Sequence, residues 1–144
     1  MIEYRIRRAS LADQDAVVTL WAACELIVPY NDPRADFRFA LDKQGSDLLL
    51  AVDNCDGAIV GSVMVGHDGH RGWVYYVAAA PDHRHAGIGR AVMFAAEAWL
   101  RERGVRKVQL MVRETNTAVQ AFYKRIGYKD TPRTVMAKWL KRNG

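Results

Sequence analysis

The chain has 144 residues, half of them hydrophobic and 26% charged, with a formal net charge of +5. That length fits one domain with a sizeable core, and the composition is ordinary for a soluble globular protein. No apolar run approaches the ~20 residues of a membrane helix, and Met1 to Arg8 alternates like a strand where a signal peptide would carry an apolar stretch.

A first strand is expected over about residues 2–7. Ser10-Leu11-Ala12-Asp13 then reads as a capping-box start with Asp in place of the usual Glu or Gln, and the helix after it carries Val17, Leu20, Trp21 and Cys24 on one face. Pro29 to Pro33 breaks that pattern. Asp32 caps, and Pro33 starts, a second short helix through Phe37, Ala40 and Leu41. Strands follow at about 47–53 and 58–67, joined by the hairpin signal Asn54-Cys55-Asp56-Gly57. The turn Asp68-Gly69-His70-Arg71-Gly72 returns the chain as a strand over 73–79. A helix over 88–103 buries Ile88, Ala91, Val92, Ala95, Trp99 and Leu100, and Gly104 stops it. Val105 to Val112 alternates as a further strand. Val119, Phe122, Tyr123 and Ile126 then fall at helical spacing on one face, and Gly127 ends that helix in the left-handed conformation. No repeat, low-complexity segment or linker interrupts the order, so a single domain over residues 1–144 is expected.

The stretch from Val77 to Arg90 is the most informative. An apolar strand runs into Pro81, a short basic loop follows, and the loop opens directly into a helix. Such a turn leaves the first helical N–H groups without intrahelical partners, and with the helix dipole they make a site for phosphate. Gly87 and Gly89 permit close approach of a ligand to the backbone, and Arg84 and Arg90 add positive charge. A dinucleotide fingerprint would need glycine where Val92 stands, and the chain has no Gly-Lys pair for a P-loop.

Arg84-x-x-Gly87-x-Gly89 resembles the coenzyme A loop of the GNAT acyltransferase superfamily. The run Asn116, Ala118, Val119, Phe122, Tyr123, Gly127 and Tyr128 resembles a second motif of that superfamily, about thirty residues further on and with its alanine one place early. The resemblance covers roughly residues 45 to 140 and implies an α/β fold: a mixed, mostly antiparallel twisted sheet of six to seven strands flanked by about four helices, the last two strands following residue 128. It also implies an N-acetyltransferase that uses acetyl-CoA as co-substrate. The coenzyme would contact Val77, Ala78 and Ala79 through its pantetheine arm and Arg84, His85, Ala86, Gly87, Ile88, Gly89, Arg90 and Ala91 through its pyrophosphate, with Asn116, Phe122 and Tyr123 alongside. Tyr123 stands where the family carries its tyrosine acid, and a free N–H in the strand over 73–79 would hold the oxyanion. Tyr123 also reads as a core aromatic, with Phe122 able to serve the core in its place, and Asn116 equally reads as a plain N-cap.

The general base is where the chain departs from better-known members, which carry Glu or His where Trp73 and Tyr75 stand here. Met111 replaces the glutamate of the ribosomal-protein N-terminal acetyltransferases, which argues against a peptide N-terminus as acceptor. Tyr75, Glu25 and Asp68 are the remaining candidates for a base acting through water, although Asp68 also suits a tight turn for backbone reasons. Tyr30, Asn31, Asp32 and Tyr75 are candidates for a pocket that holds a small amine, and the first three serve equally as cap-and-turn residues.

Other classes of function fit less well. The net charge of +5 and a pI near 9.4 raise a nucleic-acid surface, but the basic residues are scattered and no recognition motif accompanies them. A non-catalytic acyl-CoA-binding module remains an alternative. The four histidines match no zinc spacing, so no metal is expected, and the lone Cys24 and Cys55 suggest reduced thiols in a cytoplasm. The expected partner is a small-molecule amine or peptide, with no membrane; a homodimer is neither demanded nor excluded.

Overall fold

The computed structural model describes residues 2–141, which divide into two compact units at Leu110/Met111. The first holds one mixed sheet in the order β1-β2-β3-β4-β5, with β1 Tyr4–Arg8, β2 Ser46–Asp53, β3 Ile59–His67, β4 Gly72–Ala79 and β5 Val108–Gln109. Strands β1 to β4 are antiparallel neighbours, and β5 joins β4 in parallel. Three helices accompany the sheet: α1 Gln14–Ala23, α2 Pro33–Ala40 and α3 Ile88–Glu102. The second unit contains α4, Thr117–Arg125.

Local chemistry accounts for these elements. The Asp13 carboxylate accepts from the Ser10 N–H at 2.8 Å and sets the 3-10 turn Leu11–Asp13 that leads into α1. The same carboxylate takes a two-point bond from Arg7, at 2.8 and 2.9 Å, which lowers its pKa to about 2. Strand β2 is buried from Asp47 to Asp53, as a central strand covered on both faces must be. On one face Leu48, Leu50, Val52 and Ala78 pack with Val17, Leu20, Trp21 and Phe37 of α1 and α2. On the other lies α3, and two glycines let it approach. A Cβ on Gly61 would lie 3.1 Å from Ala51 Cβ and against Ile88, and one on Gly72 would lie 2.6 Å from Leu100 Cδ1. Asp47, 1% exposed, ties the sheet end together, accepting from Arg8 Nε at 2.7 Å and from the N–H groups of Asp42 and Leu48.

Three expectations are corrected. The stripe of α3 is Ile88, Val92, Met93, Ala96, Trp99 and Leu100; Ala91 and Ala95 lie at its margin and are only half-buried. The strand expected over 105–112 is reduced to Val108–Gln109, which pairs with Gly72 and Trp73 alone. The two strands expected after residue 128 are absent among the described residues, so the sheet has five strands where six to seven were expected. Residues 129–141 form neither helix nor strand, and Val135, Met136, Trp139 and Leu140 are more than half exposed. Such a sequence is able to form a strand but becomes one only when a neighbour takes up its backbone donors and acceptors.

Candidate functional site

The site starts where β4 ends. Pro81–His83 makes one 3-10 turn, and His85 and Gly87, at φ +71 and +79, both take the left-handed conformation before α3 begins at Ile88. Gly87 is the N-cap of α3 and brings no side chain to its amides, and the first turn contains no acidic residue. The other caps differ: Asp32 takes the N–H groups of Arg34 and Ala35 at 3.0 and 3.2 Å, and Asn116 takes that of Val119 at 3.3 Å. At α3 the N–H groups of Ile88, Gly89 and Arg90 precede the first intrahelical bond, from Ala91 N–H to Gly87 C=O at 3.0 Å, and point along the dipole toward the loop that bears Arg84, with Arg90 in the first turn of the helix itself. Arg90 is propped over the Phe94 ring at 5.2 Å. Tyr4 on β1, which the sequence reading missed, brings its Oη to 3.5 Å from the Ala86 carbonyl oxygen across a separation of 82 residues that no local pattern could reveal.

The loop continues an open strand edge. Pairing of β4 with β5 stops at Trp73, so Val77, Ala78 and Ala79 have no strand on that side among the described residues. On its other side β4 is bulged: Met64 faces Tyr75 and Ser62 faces Ala78, leaving Tyr76 and Val77 opposite Val63. Tyr76 has φ +51, a left-handed conformation rare for a bulky residue. Cys24, just past α1, donates its thiol to the Ala79 carbonyl at 3.2 Å, and burial raises that thiol's pKa.

The other candidates fall into three groups. Tyr75 is 45% exposed on β4, its phenol pKa raised by burial and then by the charge of Asp68. Asp68 caps its own turn, and the N–H groups of Arg71 and His70 hold its carboxyl below the usual range. Glu25 follows α1 at φ +59, Tyr30 is half exposed, the Asn31 N–H turns back to Val28, and Asp32 is engaged as the cap of α2. In the second unit, Asn116 caps α4, and Tyr123 is 8% exposed with Phe122 and Tyr128 meeting its ring edge-on at 5.0 and 5.7 Å. Burial pushes the Tyr123 phenol up to about 12. Phe122 is the less buried of the neighbouring pair.

A mixed sheet whose fourth strand loses its parallel neighbour after two pairs, and then runs into a basic loop before an uncapped helix, defines an acyltransferase fold of the GNAT type. The chain belongs to the acetyltransferase (GNAT) family, whose model matches residues 15–128. It is 42% identical over 139 residues to an acetyltransferase of Pectobacterium atrosepticum, covering 96% of each chain. It is also 42% identical over 128 residues to an uncharacterized N-acetyltransferase of Yersinia pestis, covering 89% of each. Among solved structures, an aminoglycoside N-acetyltransferase in complex with CoA shares the fold at TM-score 0.81 and 16% identity, over 98% of this chain and 97% of that one. A Trypanosoma brucei acetyltransferase does so at TM-score 0.76 and 20% identity, over 95% of this chain and all of that one.

Proposed function

We propose that the protein transfers the acetyl group of acetyl-CoA to the primary amine of a small molecule, by direct attack with both reactants bound. The observation that carries this reading is the uncapped N-terminus of α3, flanked by Arg84 of the preceding loop and Arg90 of its own first turn, where that loop continues the edge of β4 that is unpaired among the described residues. A pyrophosphate fits that chemistry: three N–H groups without a side-chain cap, no first-turn acid and flanking positive charge. The relatives' names support acetyl transfer, and the aminoglycoside enzyme among the fold's neighbours is an example of a small amine acceptor.

When bound, the coenzyme supplies an acetyl group activated as a thioester. The backbone of Val77 to Ala79 is available to receive the pantetheine arm as a further strand and to hold the developing oxyanion. We give Tyr123 the task of stabilising the departing thiolate. A phenol near pKa 12 stays protonated at neutral pH. Full transfer to a thiolate of ordinary pKa, about 8.5, would be uphill by roughly 5 kcal/mol, so the phenol acts by donating a hydrogen bond. Tyr75, exposed on β4 beside the bulge, is the best-placed candidate to orient the amine or its water.

Calorimetric titration with acetyl-CoA, run beside NAD and ATP, tests the reading. Micromolar binding of acetyl-CoA alone is expected, and its loss in Gly87→Glu, where bulk and negative charge would meet the pyrophosphate. No binding by the unaltered protein would overturn the coenzyme. Release of CoA thiol over a panel of amines then separates an enzyme from a binding module.

A further inference from the structure

Tyr76 occupies a conformation its side chain disfavours, and three other residues fasten it there. Its φ of +51 is left-handed, which for a residue with a Cβ costs about 1–2 kcal/mol. Glycine would adopt it freely, so the side chain must contribute something that offsets the strain. Its ring stacks on that of Trp21 with centroids 3.8 Å apart and planes inclined by 13°. Its hydroxyl donates to Asp36 Oδ2 at 2.7 Å. Its carbonyl accepts from Ser62 Oγ at 2.8 Å, and Ser62 Oγ accepts in turn from the Trp21 indole N–H at 2.9 Å. Trp21 and Ser62 are both 0% exposed, so these polar groups have exchanged water for one another.

The bulge so fastened changes which way β4 faces. Gly72 turns toward Leu100 of α3, whereas Tyr76, Ala78 and Ala80, even-numbered like it, pack on the α1–α2 side. Regular alternation would keep all four on one face, and the extra residue at Tyr76–Val77 makes the switch. The switch lies on the part of β4 whose far edge has no strand partner among the described residues.

We propose that Trp21, Asp36 and Ser62 are positioning residues for acetyl transfer, clamping Tyr76 so that the bulged backbone of β4 is presented to the thioester carbonyl. The clamp rests on the proposed acetyl-CoA reading for its purpose, though not for its geometry. The side chains of Trp21, Asp36 and Ser62 are not among those assigned to the coenzyme, and most of the coenzyme's expected contacts lie beyond the bulge, so the clamp acts mainly on the chemical step.

The test compares Tyr76→Phe, Ser62→Ala, Asp36→Ala and Asp36→Asn, reading kcat, acetyl-CoA affinity and amide hydrogen exchange at residues 75–78. Tyr76→Phe, Ser62→Ala and Asp36→Ala are expected to lower kcat about ten- to a hundredfold with acetyl-CoA Kd within about twofold. Exchange at Tyr76 and Val77 should quicken while that of β2 holds. Asp36→Asn keeps an oxygen that accepts from the phenol and should recover most of what Asp36→Ala loses. Ser62→Ala leaves the buried Trp21 N–H without a partner and risks instability, so the half-buried Tyr76→Phe is the deciding variant. Unaltered exchange at Val77 in Tyr76→Phe overturns the clamp even if the protein acetylates no amine on the panel. Altered exchange with unaltered kcat overturns its catalytic purpose. Absence of acetyl-CoA binding by the unaltered protein marks the separate failure of the coenzyme reading.

Discussion

Tyr123 owes its chemistry to burial: an apolar surrounding penalises the phenolate, and the pKa rises to about 12. Because the folded value lies above the ordinary one of 10, the neutral phenol's contribution to stability is complete below pH 10 and is lost as pH rises through 12. Tyr123→Phe should therefore match the unaltered protein in alkaline stability up to about pH 10 and exceed it between there and about pH 12, as followed by circular dichroism. In turnover the same variant should lose about tenfold in kcat with acetyl-CoA Kd nearly unchanged. Equal turnover in the two proteins across pH would remove Tyr123 from the reaction.

Helix α3 is the element that joins fold to site, and its seat rests on two absent side chains. Its 15 residues span about 22 Å, with Ile88 lying over Gly61 at the loop end and Leu100 over Gly72 at the other. Gly61→Ala and Gly72→Ala should each lower stability by about 1–3 kcal/mol through overpacking, measured as a shift in urea midpoint. Only Gly61→Ala displaces the end that carries the N–H groups of Ile88 to Arg90, so it alone should weaken acetyl-CoA binding. Equal weakening by both substitutions would show that α3 moves as a rigid rod and that the loop end has no special seat.

Across the whole molecule, the charge of +5 is dispersed over both units, with no basic stripe in the sequence. That spread suits a few phosphates held at one loop better than a polyanion held along a surface. A ligand bound only by the folded state adds about 2.7 kcal/mol at a hundred times its Kd, which for a chain of this size raises Tm by roughly 5–10 °C. Acetyl-CoA should produce that shift in scanning calorimetry and NAD at the same concentration should not. A random oligonucleotide that raised Tm in a salt-sensitive way would instead favour the nucleic-acid alternative.

What the sequence by itself determined was local. Ser10, Asp32 and Asn116 announced helix starts, and Gly104 and Gly127 announced helix ends, because each acts within a few residues of its own position. The α/β class and the acetyltransferase family followed from the order of such signals together with two motifs. Only the tertiary structure decided where strands end and which distant groups meet. Val105 to Val112 and residues 129–141 carry strand-like patterns, yet a strand exists only where a neighbour accepts its hydrogen bonds, and a pattern names no neighbour. The clamp on Tyr76 gathers Trp21, Asp36 and Ser62 from two helices and a strand, and Tyr4 reaches Ala86 from the far edge of the sheet. No periodicity links those positions, because their proximity is created by the packing of the sheet and its helices.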